Sequence, residues 1–162
     1  MPKTLVVLRH AKSAWPDGVA DHERPLSGRG RRDAPAVGRW LREQGVSVEL
    51  ALVSSARRTV ETADLVDTEL EPPPKRLVSD DVYHGGAGDL LDRIRDLPDD
   101  ISTAMVVGHN PSVGMLASVL DGSSSGLLEF KTSAVAVFEV GAEWAQANAG
   151  RARLVASAVP RG

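Results

Sequence analysis

No cysteine occurs in the 162 residues, which excludes disulfides, thiol nucleophiles and cysteine-ligated zinc. Basic charge is not in excess either. The formal net charge is -3, whereas a nucleic-acid binder presents a basic face. Long hydrophobic runs are also missing. The apolar stretch after Met1-Pro2-Lys3-Thr4 is too short for a signal-peptide core, and nothing is long enough to span a membrane. The chain is therefore expected to be cytoplasmic, with neither nucleic acid nor a membrane as partner. The four histidines show no His-x-x-x-His spacing with an acidic partner, so no metal site is expected.

What remains is ordinary globular chemistry, with 42% apolar and 25% charged residues. A chain of this length suits one domain, 1–162, with a substantial core. Strand and helix signals alternate along it. Continuous apolar runs at Leu5–Leu8, Leu50–Val53 and Met105–Val107 read as parallel strands buried on both faces. Residues 134–140 and Ala152–Ala158 read as further strands, and Arg76–Ser79 as a short one. A helix is expected from the N-cap Ser27 to the stop at Gly45, with Val37, Trp40 and Leu41 on its core face and Pro35 bending or breaking it. Others follow Ser54-Ser55, cover Ala87–Leu97, and open at Pro111 with Asn110 as N-cap. Glu71–Pro74 and Asp121–Gly126 have loop composition. The alternation predicts an α/β three-layer sandwich: a largely parallel central sheet with helices on both faces.

Two of the strands end in histidine. Leu5-Val6-Val7-Leu8 runs into Arg9-His10, and Ala104-Met105-Val106-Val107-Gly108 into His109-Asn110-Pro111. Open α/β sheets bind ligands at the carboxyl ends of their strands, so both imidazoles are expected in one site. A phosphate monoester carries close to two negative charges, and a nucleophile approaches phosphorus only where cations neutralise the oxygens. Arginine suits that task, because its planar fork makes paired, charge-assisted hydrogen bonds. Arg9 adjoins His10, Arg24 lies in the following loop, and Arg57 and Arg58 open the helix after Ser54. For Arg24 a salt bridge to Asp21 or Glu23 is the competing role. An attacking histidine must be unprotonated. Nearby arginines lower its pKa, and a backbone carbonyl on the other ring nitrogen would fix the tautomer.

Four segments in this order resemble the histidine phosphatase superfamily, the phosphoglycerate-mutase-like fold. They are Leu8-Arg9-His10-Ala11, Arg24-Pro25-Leu26-Ser27 with Gly30, Ser54 to Ala63 with Arg58 in fifth place, and Val107-Gly108-His109-Asn110-Pro111. The short chain, the His-Asn-Pro form and Phe130-Lys131-Thr132-Ser133-Ala134 look most like SixA-type phosphohistidine phosphatases.

The resemblance implies His10 as the phospho-accepting nucleophile and His109 as the second histidine on the phosphoryl group. It implies Arg9, Arg58 and Arg24 as phosphate ligands, with Arg57 out of register. The implied activity is a metal-independent phosphatase without cofactor. Its partner would be a phosphorylated protein or a small phosphorylated metabolite, a sugar, glycerate or nucleotide phosphatase being the alternative. Ala11 replaces the usual glycine, tolerable where φ is negative. Trp15-Pro16-Asp17 stands near the place of a common asparagine. No Glu occupies the proton-donor position of the mutases, and His84 is the nearest candidate for proton donor or pocket lining. A phosphohistidine or acyl phosphate, with its better leaving group, needs less help from an acid.

Overall fold

The structure is a computed structural model that describes residues 1–121 and 130–162. Of the expected Asp121–Gly126 loop, all but Asp121 lies outside the described residues. Six strands form one sheet: β1 (Thr4–Arg9), β2 (Leu50–Ser54), β3 (Lys75–Ser79), β4 (Thr103–Gly108), β5 (Val135–Glu139) and β6 (Arg153–Ala158). Their order is β3-β2-β4-β1-β5-β6. β1 to β4 pair in parallel, β5 runs antiparallel to both neighbours, and β6 therefore points the same way as β1. The largely parallel α/β sandwich predicted from the strand–helix alternation is what forms.

The central strands explain the unbroken apolar runs. Leu5 and Val7 face one core with Leu52 and Val106, whereas Val6 and Leu8 face a second core with Val53 and Val107. Successive side chains point to opposite faces of a strand, so a strand covered on both sides needs apolar residues throughout. Helices α1 (Gly28–Glu43) and α2 (Arg57–Asp67) cover the second core, and α3 (Asp80–His84), α4 (Ala87–Arg95) and α5 (Ser112–Leu120) the first. The edge strand β3 leaves Leu77 and Val78 exposed, and its one-sided pairing accounts for its weak signal in the sequence.

Three expectations change. α1 runs unbroken through Pro35. An interior proline costs a helix about 3 kcal/mol, but burial of Val37 and Leu41 contributes about 1.5–3 kcal/mol each, so packing prevails. Trp40 is half-buried against the core rather than within it. At the start of α5, Pro111 takes the N-cap position. Asn110 caps from one residue further out, its Oδ1 accepting from Gly114 N at 3.2 Å.

Candidate active site

Parallel pairing of β1 with β4 sets Arg9 opposite Gly108, so the next residue of each strand, His10 and His109, emerges side by side. Their ring centroids lie 5.3 Å apart. The backbone beyond the strands is fixed on both sides. His10 N donates to Gly108 O at 3.0 Å, and His10 O accepts from Ser133 N at 3.1 Å. Ala11 N donates to Thr62 Oγ1 of α2 at 3.0 Å. Ser133 is the only non-glycine with positive φ among the described residues, so Ala11 needs none of glycine's freedom. Gly30 is different. A Cβ there would stand 2.1 Å from Lys12 O, so only glycine lets α1 approach the loop that follows His10. The result is a cleft of about 280 Å³ lined by Arg9, His10, Trp15, Arg24, Arg58 and His109 among others.

The two imidazoles are prepared differently. His10 Nδ1 lies 2.7 Å from Ala11 O. A carbonyl only accepts, so Nδ1 carries the proton and Nε2 keeps its lone pair. Burial, with His109, Arg58 and Arg9 nearby, lowers the His10 pKa to about 3, outweighing the opposing pull of the Ala11 carbonyl. Burial is the larger cause and the arginines a smaller one. His109 is lowered to about 4, by burial first and then by Arg58. Its Nε2 lies 2.7 Å from Ser54 Oγ, which also accepts from Ala56 N at 3.3 Å. Ser54 Oγ thereby fixes the orientation of the His109 ring.

The arginines are held by acceptors on neighbouring segments. Arg9 donates to Phe130 O at 3.2 Å, a carbonyl shared with Asn110 Nδ2 at 2.6 Å. Arg58 donates to Asp21 O at 2.8 Å and to Asp21 Oδ2 at 3.1 Å. Arg24 donates to Ala14 O at 3.1 Å, Asp21 Oδ1 at 3.0 Å and Ser13 Oγ at 2.5 Å. Of the two roles weighed for Arg24, the salt bridge to Asp21 is present, and the residue also lines the cleft. Hydrogen bonds from Tyr83, then Arg24 and Arg58, hold the Asp21 carboxyl far below the usual carboxylate range, so this residue stays charged. Three buried nitrogens in this region have no hydrogen-bond partner among the described residues: Arg9 Nε, Arg58 Nε and His109 Nδ1.

The five residues His10, His109, Arg9, Arg58 and Arg24 come together, whereas His84 does not join them. His84 is exposed and borders a separate depression with Asp81 and Asp89. Tyr83 stands between, 4.7 Å from the His84 ring and 5.6 Å from the His109 ring. Arg57 turns away and pairs with Glu61 at 3.3 Å. Reading the residues one by one missed Asp21 as a bridge, Tyr83 as its partner and Ser54 as the group that orients His109. The signals available were the spacing of Asp21 three residues before Arg24 and of Ser54 four before Arg58. Among the described residues, no group of three or more His, Asp or Glu is placed to hold a metal ion, and no helix is long and apolar enough to cross a membrane.

Residues 5–79 match the family model of the histidine phosphatase superfamily, branch 1. An uncharacterized protein of Mycobacterium tuberculosis is 39% identical over 162 residues, covering 95% of this chain and all of that one. A structure assigned to the phosphohistidine phosphatase SixA of Nakamurella multipartitia is 32% identical. It superposes with a TM-score of 0.84 over 99% of this chain and 97% of its own. A structure of the protein histidine phosphatase SixA complexed with tungstate is 25% identical, with a TM-score of 0.82 over 97% of each chain. Likeness of this extent, running from β1 to the last strand, means that the chain belongs to the histidine phosphatase superfamily, in its SixA-like group, and is a phosphatase of the histidine-nucleophile type.

Proposed function

We propose that this protein hydrolyses phosphohistidine carried on another protein, with His10 as the nucleophile. The observation that carries the reading is one cleft on which Arg9, Arg24, Arg58 and His109 converge with His10, whose imidazole keeps the Nε2 lone pair. Three guanidinium groups around one nucleophile suit an anion with several oxygens, and the SixA neighbour that holds tungstate binds an oxyanion.

The chemistry follows from the tautomers. His10 Nε2 gives its lone pair to phosphorus while the P–N bond to the substrate imidazole breaks, the bonding pair staying with the departing nitrogen. A substrate ring that carries a proton on its other nitrogen leaves as neutral imidazole, so no acid has to deliver a proton. Phosphorylated His10 is an imidazolium whose Nδ1–H is held by Ala11 O. Water then attacks phosphorus, the new P–N bond breaks, and His10 returns to its neutral form. Both protons of the water leave with inorganic phosphate. Arg9, Arg58 and Arg24 stabilise charge on the phosphoryl oxygens throughout, and His109, whose ring lies beside that of His10, stands against the same group. This route fits a site from which His84 is displaced, because a phosphoryl group bound to imidazole needs no general acid at that place.

The test compares a phosphohistidine peptide with glycerate, sugar and nucleotide monophosphates, for wild type and His10→Ala. Preference for the phosphohistidine peptide is expected. His10→Ala should abolish turnover, and an acid-labile, base-stable phosphoryl label should be trapped on His10 of the wild type. A flat dependence on the leaving group would favour the small-molecule alternative. Label on another residue would overturn the assignment of His10, and binding of phosphate without turnover would mark a silent phosphate-binding module.

A further inference from the structure

Of the three tryptophans, Trp144 is fully buried and Trp40 half-buried, but Trp15 is 76% exposed. It lines the same cleft as His10. Among the described residues its ring contact is to the Arg24 guanidinium, whose central carbon lies 3.2 Å from the ring centroid. Arg24 is 6% exposed and is itself fixed by Ser13, Ala14 and Asp21. A buried cation thus holds the indole in place by one face, while most of its surface stays in water at the mouth of the cleft.

In-line displacement puts the leaving group on the side of phosphorus opposite the nucleophile. His10, 6% exposed, lies at the floor, so the leaving group points outward to where Trp15 stands. We propose that the exposed indole of Trp15 is a stacking platform for a planar, conjugated leaving group, and so selects phosphoryl donors whose phosphorus is attached to a ring. This rests on the phosphatase reading above and deepens it. Aromatic rings and guanidinium planes stack favourably in offset geometry, and an imidazole released from a phosphohistidine side chain has the flat shape and the length of tether to lie there. A small, non-planar leaving group gains nothing from the indole.

The deciding experiment measures kcat/KM on two substrates that share a P–N bond, a phosphohistidine peptide and phosphoramidate, for wild type, Trp15→Ala and Trp15→Phe. Any loss of grip on Arg24 lowers both substrates together, so the ratio of the two isolates the platform. Trp15→Ala should lower the ratio of phosphohistidine peptide to phosphoramidate by about two- to tenfold, and Trp15→Phe should restore most of it. An unchanged melting temperature shows that the variants are folded, as expected for an exposed side chain. Equal losses on both substrates, or a Phe variant no better than Ala, would overturn the platform alone. Hydrolysis of neither substrate by the wild type would overturn the phosphohistidine reading and the platform with it.

Discussion

Arg57 and Arg58 are adjacent in sequence but about 100° apart around α2, and that rotation separates their fates. Arg58 is 7% exposed and lines the cleft. Arg57 is exposed and tied to Glu61. Arg58→Ala should remove a charge-assisted interaction of about 1.5–3 kcal/mol, lowering kcat/KM by about 10- to 150-fold. Arg57→Ala should stay within about twofold of wild type, since a surface ion pair contributes at most about 1 kcal/mol and faces away from the cleft. Steady-state kinetics on an aryl phosphate decide it, and equal losses or the reverse order would refute the placement. At this scale His10 and His109 were legible because each terminates an apolar run. Asp21 was legible only as a partner for nearby Arg24, because its other two partners, Arg58 and Tyr83, lie 37 and 62 positions away.

Among the elements, α1 shows how a helix far from the chemistry shapes the cleft. Ser27 caps it, accepting from Gly30 N at 3.2 Å, and Ser27 N binds Lys12 O at 2.9 Å. The helix start and the loop after His10 are thus one unit. Gly30→Ala forces a methyl group against Lys12 O, and relief of such overpacking costs about 1–3 kcal/mol. The variant should melt at a lower denaturant concentration and lose activity as Lys12, Ser13 and Trp15 shift. Gly28→Ala is the control, because a Cβ there meets only Arg32 at 3.6 Å. If the two alanine variants unfolded alike, the close approach would not matter. Periodicity located α1, α2 and α4 well. Of the bend or break expected at Pro35, the break does not occur, because local propensity does not count the apolar stripe that α2 and the sheet bury.

For the molecule as a whole, the buried imidazoles couple folding to pH. Folding holds His10 at about 3 and His109 at about 4, against an ordinary value of 6.5. Below about pH 6.5 the unfolded chain takes up protons that the folded one refuses, so stability falls as the pH drops from there toward 4. Each ring contributes up to about 1.4 kcal/mol per pH unit in that window, and neither contributes above it. Urea midpoints should therefore fall between pH 7 and pH 5, and His10→Gln should flatten the dependence. The same slope in the variant would mean that His10 accepts its proton while folded.

By itself the sequence determined what depends on neighbours along the chain. Apolar runs defined strands covered on both faces, helical stripes defined the two outer layers, and a histidine closing each of two strands announced a site at their carboxyl ends. Only the tertiary structure decided which strands adjoin. The sheet order β3-β2-β4-β1-β5-β6 brings β4 beside β1, although residues 10–101 separate Arg9 from Ser102, whose carbonyl begins that pairing at Thr4. The same packing chose Arg58 over Arg57, made Asp21 a bridge between two arginines and set His84 aside. It also left Trp15 in water at the mouth of the cleft. These are outcomes of burial and charge pairing between distant segments, and a one-dimensional pattern does not encode them, because each residue's environment is supplied by other parts of the chain.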